Sequence, residues 1–261
     1  MDKFLNQMMA ALTEPAMQQE MLNGIWETLY STAAATVLAC LLGLILGVIL
    51  VAGEKEGVRP LPGPLMKFIN IVINILRSVP FLILMMMLLP VFKPLIGTSI
   101  GTPAAILPLV VAAAPFVARL VETSLREVDK GVIEAAQSMG CTPFQIIWKV
   151  ILPESKPGLV AGFVTALITI LGYGSMAGFI GGGGLGKIAI NYGYNKYNYG
   201  VMFVAVVLIV ILVQVFQTIG TKIAVSLDHR ITDKGGKRRS KKETLGKIKE
   251  NKNKSIPNGM R

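Results

Sequence analysis

The sequence predicts an all-helical integral membrane protein with five transmembrane helices, and three observations carry that expectation. Charge-free runs occupy residues 28–53, 94–118, 157–186 and 197–221, and a fifth run, 68–92, is interrupted by Arg77 alone. Each is long enough for a helix that must cross a hydrocarbon core, which takes roughly 20 mainly apolar residues. Charged residues make up only 16% of the chain, against about a quarter in soluble domains. The basic residues are also unevenly placed. Of 26 Lys and Arg, residues 53–67 carry three, 126–156 four and 222–261 thirteen, whereas 1–27, 93–103 and 187–196 carry only Lys3, Lys93, Lys187 and Lys196. Positive loops stay in the cytoplasm, so the N-terminus is expected outside and the C-terminus inside. Continuous apolar runs cannot be alternating barrel strands, and backbone groups in lipid must find partners within their own segment.

Residues 1–27 read as an external segment. They lack the basic region, apolar stretch and small-residue site of a cleavable signal. Phe4, Leu5, Met8, Met9 and Leu12 suit either a short interfacial helix or a loosely ordered tail. The membrane domain is expected over 28–227, with spans near 28–53, 67–92, 104–125, 157–180 and 198–223. No carboxylate falls inside the five apolar runs that define the spans. The first span holds Cys40, a small buried apolar side chain by default, and acts as a signal anchor. In the second, Asn70, Asn74 and Arg77 follow i, i+4, i+7 spacing and form one polar stripe with Ser78 beside it. An intramembrane charge faces protein or water rather than lipid. Pairing within the protein is the preferred reading of the stripe, with substrate contact the alternative, and Pro80 is expected to kink this helix.

Between the third and fourth spans lies a charge-rich cytoplasmic segment, 119–156. Within it, 129–153 reads as two short helices joined by a tight bend. Asp129 can cap the first, running through 133–139, where Ala135 and Ala136 keep one face slim. Gly140 supplies a turn without a Cβ. Thr142 can cap a second helix, 144–150, with Pro143 in its first turn, and Pro153 and Pro157 are expected to end it. Ile133, Met139, Phe144, Ile147 and Trp148 provide apolar knobs for a groove on a partner.

The fourth span carries Gly172, Gly174, Ser175 and Gly178 around Tyr173 and Met176. Tyr173, Ser175 and Met176 are candidate pathway or gate residues, Met176 because an unbranched thioether adapts to sealing and reopening. Plain helix packing accounts for them equally well. Residues 181–188 spell both G-x-x-x-x-G-K-I and G-x-G-x-x-G. Ile188 has no hydroxyl for magnesium, and both nucleotide motifs need a preceding strand, so a tight external loop is expected instead. Tyr192, Tyr194, Tyr197 and Tyr199 read first as an interfacial aromatic belt and second as a contact for a binding protein. Residues 228–261 form a basic tail; with 222–227 they hold +9 of the chain's +11. The tail suits anionic lipid or a solvated state, and no nucleic-acid partner is expected. His229 lies there without ligand partners, so neither a metal site nor a catalytic set is expected.

Glu134-Ala135-Ala136-Gln137-Ser138-Met139-Gly140, followed by Leu152-Pro153, resembles the EAA loop of ABC importer permeases. Val150 departs mildly from that family's pattern, which prefers Ile there. Over roughly 24–224, Arg77-Ser78-Val79-Pro80-Phe81, Gly97-Thr98-Ser99-Ile100-Gly101, Ala114-Pro115-Phe116-Val117-Ala118-Arg119, Gly172-Tyr173, Gly183-Gly184-Leu185-Gly186 and Tyr192-Gly193-Tyr194 resemble the methionine-importer branch. The resemblance implies a type I importer permease fold. It also implies that Glu134, Ala135, Ala136, Met139, Gly140, Phe144, Leu152 and Pro153 couple to a separate ATPase. By the same resemblance the chain would be the permease subunit of an ATP-driven importer for L- or D-methionine in a bacterial cytoplasmic membrane. Its implied partners are a second copy of itself, two ATPase subunits and an extracytoplasmic solute-binding protein. ATP and magnesium would belong to the ATPase, leaving this chain without a cofactor and not itself an enzyme. A permease for another amino acid or small solute, and a secondary transporter, are the alternatives.

Overall fold

The computed structural model describes residues 2–227; the basic tail, with His229, lies outside the described residues. The elements are α1 (Asp2–Thr13), α2 (Pro15–Ala52), α3 (Gly63–Ser78), α4 (Phe81–Ile96), α5 (Thr102–Arg126), α6 (Lys130–Ser138), α7 (Pro143–Ile146), α8 (Leu152–Glu154), α9 (Lys156–Ala177), α10 (Gly184–Ile188) and α11 (Tyr199–Leu227). Turns of π-helix, Ile147–Ile151 and Ala189–Asn195, join α7 to α8 and follow α10. No strand occurs among the described residues.

Four helical stretches, beginning at Pro15, Thr102, Lys156 and Tyr199, are long and apolar enough to cross a membrane. The second expected span is not one kinked helix. Its halves, α3 and α4, are bent by 109°. The physical cause is local: Pro80 disfavours helical backbone at Val79, which sits at φ −79°, ψ 128°, and Pro80 itself is extended at ψ 134°. Helices also overrun the charge-free runs. α2 starts at Pro15 and takes in Glu20 and Glu27, while α5 continues to Arg126 and takes in Glu122. The helices are therefore not free of carboxylates, although the runs are.

The long helices pack through small residues. Ser31, Ala35, Ala39, Gly43 and Gly47 recur every fourth position on α2 and are all buried, a stripe that lets two backbones approach closely. α5 fills the groove: a Cβ on Gly43 would lie 2.5 Å from Val117, and one on Gly47 2.5 Å from Val121. The main core joins this α2–α5 seam to Ala166 and Ile170 of α9, and it continues into Ala136, Ile146 and Ile151 of the segment after α5. That segment is thus part of the membrane domain's own core. At the other end of the bundle, α1 lies along α11, with Ala11 buried and Phe4 edge-on to Phe203 at 5.8 Å. Of the two readings of the N-terminal stretch, the structure adopts the helix.

Candidate functional site: the exposed helical segment after α5

Local rules build this segment. The Asp129 carboxylate accepts from the Gly131 N–H at 2.7 Å and caps α6. Gly140 then turns the chain at φ +80°, a left-handed conformation that side chains with a Cβ resist. Thr142 and Gln145 form a reciprocal capping box at the start of α7: the Thr142 N–H donates to Gln145 Oε1 at 2.8 Å, and the Gln145 N–H donates to Thr142 Oγ1 at 3.4 Å.

Beyond α7, Pro153 does not itself end the helix, which runs on to Glu154 and gives way to a turn at Ser155, between the two prolines, before α9 starts. The backbone widens into a π-turn, in which the Leu152 N–H reaches back five residues to the Ile147 carbonyl. Widening moves carbonyls out of the way of the Pro153 ring, and Pro153 falls in the first turn of α8, where its missing N–H is harmless. Pro157 likewise sits in the first turn of α9, and only Ser155 stands between α8 and α9. Its N–H still bonds the Ile151 carbonyl at 3.0 Å. Helical hydrogen bonding therefore runs from Pro143 through the turn at Ser155 into the membrane helix α9.

One side of the segment is locked inward and the other is bare. Ala136, Ile146 and Ile151 are at most 2% exposed, whereas Met139 is 76%, Phe144 69% and Trp148 58% exposed. The rings of Phe144 and Trp148 lie 6.1 Å apart and share one surface. Glu134 and Ala135 are exposed beside them, Leu152 is half-buried and Pro153 exposed. Three large apolar side chains left in water on a rigid, core-anchored segment mark an interaction surface.

A charged network braces the same end. Arg119 donates to the Glu122 carboxylate at 2.6 Å and to the side-chain amide oxygens Oδ1 of Asn70 and Asn74 at 2.8 and 3.0 Å. Arg126 bridges Glu122 at 2.8 Å and Glu54, in the loop after α2, at 2.5 Å. The asparagines of the polar stripe therefore serve α5. The structure does not bring Arg77 into their company; among the described residues it has no ion-pair or side-chain hydrogen-bond partner.

The profile of the binding-protein-dependent transport system inner membrane component family matches residues 56–233, more than half of the chain. The chain belongs to that family. Among curated relatives, it is 52% identical over 135 residues to the probable D-methionine transport system permease protein of Vibrio cholerae, covering 52% of this chain and 60% of the relative. It is 50% identical over 135 residues to the methionine import system permease protein of Bacillus subtilis, covering 52% and 61%. The matched part thus spans about three fifths of the length of these relatives. Among solved structures, a chain of the inward-facing MetNI methionine ABC transporter is 42% identical, with a TM-score of 0.80, covering 83% of this chain and 100% of that one.

In this inner membrane component, the end of the bundle opposite the segment after α5 is held by a clamp that sequence reading missed. The Gly184 N–H donates to the Glu27 carboxylate at 2.6 Å, and the Leu185 N–H donates to Thr28 Oγ1 at 2.9 Å. Two neighbouring residues of α2 thus hold the start of α10, 157 residues away in sequence. The Gly101 N–H adds a bond to the Gly181 carbonyl at 2.8 Å. The glycines of 181–188 follow a helix and are pinned between α2 and α5, so they form a braced turn rather than a phosphate cradle. Glu27→Ala is expected to loosen this turn by about 1–3 kcal/mol, the usual consequence of orphaning a partner of a charge-assisted bond, while Glu27→Gln retains most of the hold. Hydrogen exchange over 181–188 reads the difference, and equal protection in Glu27→Ala and the parent would refute it.

The tyrosines divide. Tyr192 donates to Glu20 at 2.6 Å and lies beneath the Lys196 ammonium at 4.2 Å from its centroid. Tyr194, Tyr197 and Tyr199 are exposed. The candidate gate residues do not converge on one point. Tyr173 stacks on Phe81, the Ser175 hydroxyl donates back to the Leu171 carbonyl at 3.1 Å, and Met176 is 48% exposed.

Proposed function

We propose that this chain is the translocation subunit of an ATP-driven importer, with methionine as its cargo. The single observation that carries the reading is the short path from α7 to α9: an exposed apolar docking face joined through one hydrogen-bonded turn at Ser155 to a membrane helix. Such a part transmits force from a soluble partner into the bundle. The names of the relatives from Vibrio cholerae and Bacillus subtilis support methionine, in either stereochemistry. The partner is an ATPase that binds ATP and magnesium. Two copies of this chain pair around one pathway above two ATPase subunits. The excess of Lys and Arg in 53–67, 126–156 and 222–261 supports a cytoplasmic docking face and C-terminus, with the N-terminus outside. Closure of the ATPases draws the 134–150 segments together, α9 follows, and the pathway opens outward to receive cargo from an external binding protein. The tail, 228–261, meets anionic lipid. Tyr173, Ser175 and Met176 are proposed to line the pathway or its gate.

Gly140→Arg tests the docking reading. Nothing lies within 4 Å of a Cβ at Gly140, so the change leaves the interior intact. It places a charged side chain on the docking face and strains a left-handed residue by about 1–2 kcal/mol. The ATPase is expected to stop co-purifying and uptake into proteoliposomes to cease. Retention of both would exclude this segment as the docking site. Uptake driven by an ion gradient after ATP depletion would instead favour a secondary transporter.

A further inference from the structure

The break between α3 and α4 leaves a half-open cleft of about 220 Å³, in which Arg77 is exposed. Its walls come from four helices, the consecutive α3 and α4 together with α5 and α9. Arg77 stands at the end of α3, Phe81 begins α4, Phe116 comes from the middle of α5 and Tyr173 from the last two turns of α9. Phe81 and Tyr173 stack face to face, with centroids 4.3 Å apart and planes within 6°. The cavity therefore joins one cation to a flat aromatic wall. It is smaller than drug-sized pockets, which run from about 300 Å³ upward, and suits a compact solute.

Arg77 is the informative member. A guanidinium stays charged at any physiological pH, and an intramembrane charge ordinarily pairs or faces water. The two polar neighbours on its own helix are committed elsewhere, because Asn70 and Asn74 both accept from Arg119. Ser78 is committed too, since its hydroxyl donates to the Asn74 carbonyl at 2.7 Å. Among the described residues, no carboxylate lines the cavity. Apart from Arg77, the side chains that line it are aliphatic or aromatic, so the cleft sets one strong anion-binding group beside a pair of stacked rings.

We propose that this cavity is a transit site for the cargo, in which Arg77 binds the α-carboxylate of an amino acid and Phe81, Tyr173 and Phe116 receive an unbranched apolar side chain. The inference rests on the importer reading above and adds a recognition step inside the membrane. A planar guanidinium matches a carboxylate with two parallel bonds. A thioether side chain packs favourably against aromatic rings, which fits methionine better than a branched or charged side chain. Because Phe81 opens α4 and Tyr173 belongs to α9, the stack also ties cargo contact to the helix that the docking segment drives.

The experiment uses the complete transporter, reconstituted with its ATPase and binding protein. Arg77→Gln is expected to lower methionine uptake about tenfold, the effect of losing one charge-assisted contact. ATPase co-purification and ATP hydrolysis should persist, so that less cargo moves per ATP. Arg77→Lys should recover part of the uptake, because it keeps the charge without the fork. Saturation-transfer NMR on the unaltered complex, without binding protein, guards against a variant that fails to assemble: L-methionine should receive magnetisation and methioninamide, which lacks the carboxylate, should not. Equal signals from both compounds, no signal from either, or unchanged cargo per ATP in Arg77→Gln would overturn the site. Each of these results leaves the importer reading standing. The importer reading itself fails separately, if the unaltered transporter couples no amino-acid uptake to ATP.

Discussion

Replacing Phe144 and Trp148 together by alanine is expected to abolish ATPase docking while leaving the membrane domain as stable as before. Both halves of that expectation come from burial. The side chains are 69% and 58% exposed in this chain, so they add little to its own folding. Aromatic anchors at the centre of an interface, in contrast, are typically worth about 2 kcal/mol or more each. Losing both would weaken docking by a factor on the order of a thousand if the two losses add. Their supports are left intact: Ile146 and Ile151 remain in the core, and the Thr142–Gln145 box still starts the helix. The measurements are co-purification of the ATPase and thermal unfolding of the permease alone. An ATPase that stays bound would show that the exposed rings are not the anchors. A large drop in melting temperature would show that they stabilise the fold instead.

Gly47→Leu is expected to have the opposite profile, damaging the bundle without touching the docking face. A Cβ at this position would lie 2.5 Å from Val121 and 2.9 Å from the Ala118 carbonyl oxygen. Rotation cannot move the Val121 Cβ, 2.6 Å away, and neither it nor the backbone oxygen can yield without moving α5. The helices must part, and the buried contacts of Ala35 and Ala39 farther along the seam loosen with them. Overpacking of this kind costs about 1–3 kcal/mol. Parting of the helices also strains the bracing of Arg126 against Glu54, which links the end of α5 to the loop after α2. The expected result is low yield and a lower melting temperature by fluorescence-detected size exclusion. Gly47→Ala should show the same defect in milder form. A Gly47→Leu protein that elutes and melts like the parent would mean that the α2–α5 seam is not the tight contact described.

Much of the docking segment was legible because its determinants are local. Asp129, Gly140 and Thr142 act on backbone groups within three residues, so their spacing reads directly as cap, turn and cap. The course of the chain after α7 was less legible. Pro153 ordinarily stops a helix, and the π-turn before it, with Ile146 and Ile151 buried, lets the helix pass Pro153 and run on to the turn at Ser155. The polar stripe on α3 was legible in part: pairing within the protein holds for Asn70 and Asn74, which meet Arg119. Helical spacing put Asn70, Asn74 and Arg77 on one face, but it could not say which of them would meet Arg119. The clamp at Glu27 was hidden as well, because nothing near Glu27 in sequence points to a backbone N–H on the far side of the chain.

The sequence by itself determined the class, the number of apolar runs, the uneven basic loops and the form of the coupling segment, since length, hydropathy and capping work over a few turns of one helix. Only the tertiary structure decided that the second span breaks at Val79–Pro80, that a small-residue stripe seats α2 on α5, and that Phe81 stacks on Tyr173 beside an Arg77 without an ion-pair partner among the described residues. Those outcomes depend on which helix faces meet. Contacts across a bundle join residues separated by dozens of positions, and no local pattern ranks one apolar face above another.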